Sequence, residues 1–312
     1  MSSHEAALTT QEKKSRNKMP AFFGPLIAVV LLSLILTFAS QQFVSWENWM
    51  NIFRQTAINS LVALGMLMVL LTGGIDLSVG PVVALSTCTM GVLMKAGVSS
   101  PVLLLASCLA VGLLAGTLNG LLFTQLELPH PFVSTMGTRQ IFRGLALLIT
   151  GAAPIAGFPA AVNFIGFENI GGFPVCFLLV LVIFGIMGIF LNKTSLGRKI
   201  YSVGGNKEAA RLSGINVKKT LNFAYIMSGL MASVAGIVLI GRVSTAYPLA
   251  GETYDMDAIA ACVIGGASFL GGKGTVSGTL IGALLIAIIR NGLNLLGAQS
   301  DAQYIVIGAV II

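Results

Sequence analysis

An aspartate in an otherwise apolar stretch, Thr72-Gly-Gly-Ile-Asp-Leu-Ser-Val-Gly80, is the first residue whose type and setting point to chemistry. Two glycines before Asp76 and the Gly80-Pro81 pair after it require a break or tight turn between two hydrophobic runs. An acid at bilayer depth is costly unless it is paired or wetted, so Asp76 reads as a contact for a solute or ion. The competing reading makes it a helix cap, its charge favoured at the N-terminus of the run that follows. Spacing leaves both open. Other polar residues stand inside hydrophobic runs: Asn59, Asn119, Arg139, Gln140, Arg143, Arg290, Asn291 and Asn294. An amide offers a donor and an acceptor, which suits hydroxyl-rich solutes, and it serves equally as glue between helices. Asp76, Asn119 and Asn294 are the candidate pathway residues. Arg139 and Arg143, four apart on one helical face near a helix start, are expected to reach the interface.

The segment Gly204-Gly-Asn-Lys-Glu-Ala-Ala-Arg-Leu-Ser-Gly214 is a polar interval between long apolar runs. Asn206 is the expected N-cap, Lys207 to Ser213 carry good helix formers, and Gly214 stands where a left-handed C-terminal residue is wanted. Ile215 is expected to cover the helix end. A short capped helix held out from a bilayer reads as a docking element.

Nothing in the chain assembles into a catalytic set. His4 lies in the polar tail and His130 between two prolines. Cys88, Cys108, Cys176 and Cys262 fall in apolar stretches without metal-ligand spacing and read as small core residues. The glycine-rich Gly265–Gly274 segment fails as a P-loop, because Ala267 stands where the first glycine is needed and Gly274 where Ser or Thr must follow Lys273. No nucleotide site is expected in this chain.

The elements that must position these residues are membrane helices. Charged residues make up 9% of the chain against about a quarter in soluble domains, and mean hydropathy is +0.91. The net charge of +7 follows from basic residues flanking hydrophobic runs, which excludes a nucleic-acid reading. Runs recur at 21–39, 56–71, 81–98, 101–123, 131–150, 173–192, 220–241, 257–270, 275–296 and 303–312. The expected fold is therefore all-α, a polytopic bundle of about ten transmembrane spans. The second and eighth runs are short, and the last, only about 15 Å of helix, is expected to be truncated.

Residues 1–20 read as a cytoplasmic polar tail, and 21–312 as a single membrane domain with a cytoplasmic loop at 193–219. That loop holds Lys193, Arg198, Lys199, Lys207, Arg211, Lys218 and Lys219, whereas 151–172 has no lysine or arginine. A cytoplasmic N-terminus satisfies this bias. The outward acids Glu168, Glu252, Asp255 and Asp257 are then candidates for pairing with a basic partner surface, or solvated loop charges. Trp46 and Trp49, on one face of the 43–54 segment, read as a lipid-lying interfacial anchor. The stripes Gly112/Gly116/Gly120 and Gly274/Gly278/Gly282 read as close helix packing.

Four ordered motifs resemble one family. Thr72–Gly80, Gly204–Ile215, Ala258–Gly274 and Asn291-Gly-Leu-Asn-Leu-Leu296 are similar to the permeases of ribose/xylose/arabinose-type ABC importers. The resemblance runs from about Phe38 to the end. It implies a bacterial inner-membrane subunit of the type II importer kind that binds no cofactor itself, with ATP and Mg used by a partner ABC ATPase. It also implies a periplasmic sugar-binding protein and a second permease copy or paralogue, working by alternating access. Glu208, Ala209, Ala210, Arg211, Leu212 and Gly214 match the coupling helix that seats in the ATPase. The alternative from another class is an ion-coupled secondary transporter using Asp76, and a passive channel is a third.

Overall fold

Each hydrophobic run among the described residues contains a helix, and helices stop where glycines pair at 73–74 and 265–266. The computed structural model describes residues 23–126, 128 and 130–311 of the chain, so the polar tail lies outside the described residues. In chain order the helices are α1 (Phe23–Ala39), α2 (Trp46–Leu71), α3 (Val79–Lys95), α4 (Pro101–Gln125), α5 (Pro131–Thr150) and α6 (Ala160–Phe167). There follow α7 (Val175–Lys193), α8 (Ser195–Gly205), α9 (Lys207–Leu212), α10 (Val217–Val243), α11 (Tyr254–Ile264), α12 (Val276–Leu295) and α13 (Ser300–Ile311). Among the described residues there are four strands of two residues each; Ile155–Ala156 pairs antiparallel with Thr245–Ala246, and Asn169–Ile170 with Phe173–Pro174.

Among the described residues, α2, α4, α7, α10 and α12 are long and apolar enough to cross a membrane. α1 and α3 are apolar but shorter, at 17 residues each. The eighth run shrinks to the 11 residues of α11, about 16 Å of helix, because Gly265 and Gly266 end it. The second run grows to 26 residues, because Ser45 caps a helix starting at Trp46. A separate lipid-lying 43–54 segment is therefore not formed. Trp46 and Trp49 belong to the first turn of α2, and Trp49 packs edge-on against Phe43 at 5.6 Å between ring centroids.

α2 is the central helix. In its most apolar window 89% of residues are buried within the protein, against 28% for α4 and for α7. Such a helix needs no polar face, and its apolar residues are spread all round. Gly112, Gly116 and Gly120, and likewise Gly278 and Gly282, pack helices closely as expected, whereas Gly274 lies ahead of α12 at φ +153°. A Cβ on Gly112 would lie 2.4 Å from the Gly229 carbonyl of α10, and one on Gly282 would lie 2.0 Å from the Ala261 carbonyl of α11. Backbones at that separation gain many dispersion contacts, which is what holds helices together where lipid offers no hydrophobic drive. All four cysteines are free and buried.

Candidate functional site

Three polar features depart from this apolar packing. The first is the 193–219 loop, which is two helices rather than one. Thr194 caps α8, its hydroxyl accepting from the Gly197 amide at 3.1 Å. Asn206 ends α8 and caps α9, its side-chain oxygen accepting from the Ala209 amide at 3.0 Å. At the other end the Ile215 amide donates to Ala210 O and the Gly214 amide to Arg211 O, both at 3.0 Å. Those bonds require a left-handed residue at 214, and Gly214 has φ +78°. Ile215 packs with Val203, Ala210 and Leu221 beneath the helix.

The outer face of α9 is open. Glu208 and Arg211 pair at 2.9 Å with side chains 71% and 69% exposed, a geometry worth little to stability. Leu212 is 82% exposed beside them. Ala209 and Gly214 are exposed as well, and Ala210 alone of the six candidate residues turns inward, against the base. This base is tied to the bundle through glycine. A Cβ on Gly204 would sit 1.7 Å from Leu71 O and 2.6 Å from the Gly272 amide. The Gly272 amide donates to Leu71 O at 2.9 Å, and Tyr201 donates its hydroxyl to Gly274 O at 2.9 Å. The Gly265–Gly274 segment that imitates a nucleotide loop thus clasps the end of α2 and the end of α8.

The second feature is the break between α2 and α3. Gly73, at φ +77°, turns the chain, and Asp76 follows at 1% exposure. One carboxylate oxygen accepts from the Ser78 amide at 3.0 Å and the Ser78 hydroxyl at 2.6 Å, and the other from the Ser228 hydroxyl of α10 at 2.8 Å. Asn119 of α4 donates to Ser78 Oγ at 2.7 Å and accepts from Thr138 of α5 at 2.6 Å. Four helices therefore meet at one hydrogen-bonded chain. Asp76 and Asn119 are brought together by Ser78, a residue the sequence does not single out. Asn294 is not part of it: it is exposed near the end of α12 and accepts from Gln303 at 2.7 Å. Asn291 serves as glue, exchanging hydrogen bonds with Asn48 of α2 at 2.7 and 3.1 Å.

The third feature corrects the outward acids. Asp255 and Asp257 are 1% and 2% exposed, so neither faces a partner surface. Asp255 pairs with Arg139 of α5 at 3.3 Å, and Asp257 with Arg290 of α12 at 2.7 Å. Arg143 donates to Pro248 O and Ala250 O. Arg139 and Arg143 thus hold the 248–255 segment in place instead of reaching the interface, because bare carbonyls and carboxylates inside a bundle need donors. That segment dips far enough that the Gly251 carbonyl would lie 2.1 Å from a Cβ on Gly80. Irregular backbone packed this closely survives where protein supplies its donors, as Arg143 does here. Glu168 and Glu252 are exposed, as expected.

The chain has relatives in sequence. Residues 48–312 match the family described as branched-chain amino acid transport system / permease component. The ribose import permease protein RbsC of Bacillus subtilis is 42% identical over 93% of this chain and 90% of its own length. RbsC of Escherichia coli is 40% identical over 92% and 90%. The D-allose transport system permease protein AlsC of Escherichia coli is 38% identical over 95% and 90%. No solved structure matches the chain. Full-length similarity of this strength, on an all-α protein with membrane-length helices, places the chain in the branched-chain amino acid transport system / permease component family, as a multi-pass membrane permease and not an enzyme.

Proposed function

We propose that this chain is the membrane-spanning subunit of an ATP-driven importer of a monosaccharide, in a bacterial inner membrane, with its N-terminus in the cytoplasm. The observation that carries the reading is α9: a capped helix on a rigid base, with its outward side chains free of the fold. Glu208, Arg211 and Leu212 are the docking residues for a separate ABC ATPase, and Ala209, Ala210 and Gly214 shape the helix that presents them. ATP and Mg belong to that partner, since Lys273 has no P-loop around it. The relatives' names supply the solute class, ribose and allose among them. A periplasmic sugar-binding protein delivers the solute, and a second permease copy or paralogue completes the pathway.

The ten-run topology accompanies this reading, with the basic 193–219 loop inside. The connections of α9 support a reading of alternating access. Its base is clasped to the end of α2 at Gly204, and α2 leads directly into the break holding Asp76. A pull on α9 thus acts on the hub that joins α3, α4, α5 and α10. Within that hub Asp76 acts as an anchor, because its oxygens are engaged by Ser78 and Ser228. Asn119 supports it. Asn294 has no geometric tie to this hub. Copurification tests the reading: an ABC ATPase is expected to accompany the detergent-solubilised chain from its own membrane. Sugar uptake by this chain alone in proteoliposomes would overturn the reading in favour of an ion-coupled transporter or channel.

A further inference from the structure

A cavity of about 140 Å³ lies between α2, α10, α11 and α12, lined by Gln55, Asn59, Arg242, Tyr254, Asp257 and Arg290 among others. It is well below the roughly 300 Å³ at which drug-sized pockets begin, and at liquid density it holds roughly five waters. We infer that it is a subsite for one neutral sugar ring passing through this chain. The inference rests on the reading of the chain as a monosaccharide permease and names where in the bundle the solute is held.

Its wall is polar in a particular way. Asn59 is 6% exposed, lines the cavity, and has no hydrogen-bond partner among the described residues. Its amide is not sealed off from solvent, so it can bond to water or to a ligand in the cavity. Arg290 gives one terminal nitrogen to both oxygens of Asp257, at 2.7 and 2.8 Å, while its Nε is buried without a partner. Gln55, half-buried, adds a second amide one helical turn from Asn59. Amide oxygens accept from hydroxyls and amide N–H groups donate to them, so a polyol can satisfy the Asn59 and Gln55 amides together. Asp257 is chelated by Arg290, which leaves no free carboxylate in the wall for a cation. Arg242 stands at the exposed rim near the end of α10. Asn59 is about 20 Å along α2 from Trp46 and about 18 Å from Leu71, so the cavity reaches the middle of the bundle.

The test uses the reconstituted complex with its ATPase and binding protein, and ribose as probe. Asn59→Leu and Gln55→Leu remove an amide each at similar volume. Each is expected to lower ribose uptake about tenfold with an unchanged melting temperature. Asn59→Cys supplies a readout that does not depend on coupling, because the four native cysteines are all buried at 0% exposure and stay silent. A small thiol reagent is expected to label Asn59→Cys, and ribose to slow that labelling while its carboxylate analogue ribonate does not. Labelling that is indifferent to ribose in a complex whose parent transports ribose overturns the subsite. Absence of uptake of ribose, allose and galactose by the parent complex overturns the functional reading instead.

Discussion

The short helix α9 and the buried Asp76 hub are both polar interruptions of an apolar chain, and they spend their polar groups in opposite ways. The hydrogen bonds that cap α9 are made between its own ends, from Asn206 to Ala209 and from Ile215 back to Ala210, and its exposed Glu208 and Arg211 pair only with each other, beside an open Leu212. The hub leaves little over: Asp76 is held by Ser78 and Ser228, and Asn119 by Ser78 and Thr138. The difference separates docking from holding. Groups that exceed the needs of the fold are available to a partner, while groups used up by the fold transmit force or position neighbours.

That contrast is broken or sharpened by substitution, beginning with the largest effect. Arg290→Met strands the Asp257 carboxylate, 3% exposed, and is expected to cost about 3–5 kcal/mol, read as a lower melting temperature in detergent. Gly204→Ala drives a Cβ into Leu71 O and is expected to cost about 1–3 kcal/mol, or more, because backbone rather than a flexible side chain must move. Ser228→Ala removes one of the hydroxyls on Asp76 and is expected to cost about 1.5–3 kcal/mol, with protein still inserted in the membrane. Gly214→Ala meets open space but keeps φ +78°, so about 1–2 kcal/mol is expected, and transport should lose its tie to ATP hydrolysis. Smallest in stability is Leu212→Asp, within about 0.5 kcal/mol, because its side chain is 82% exposed. A large loss of stability in Leu212→Asp would erase the distinction between the two regions.

The same contrast explains what the sequence made legible. The cap at Asn206, the helix over Lys207–Leu212 and the left-handed Gly214 are signals within a few residues of one another, and each appears where the spacing puts it. The break at Gly73 and the close-packed glycine stripes are local in the same sense. The hub was half legible. Asp76 stood out as an acid in an apolar run, yet Ser228, 152 residues away, carries no mark beyond being a serine in a helix. Charge in a loop misled for Asp255 and Asp257, since burial depends on where the 248–255 segment dips, and Arg139 and Arg290 that draw it in lie on other helices. The extent of α11 was illegible for a related reason: hydropathy continues past Ile264, but the glycines at 265 and 266 do not continue the helix.

The central claim is that α9 is the grip of a separate motor, and coupled uptake tests it most directly. Proteoliposomes carrying the permease, its ATPase and the sugar-loaded binding protein are compared for the parent chain and Leu212→Asp, with and without ATP inside. ATP-dependent sugar uptake is expected for the parent and background uptake for Leu212→Asp, at equal protein insertion. ATP-dependent uptake by Leu212→Asp at the parental rate, or uptake by the parent with no ATPase present, would contradict that claim.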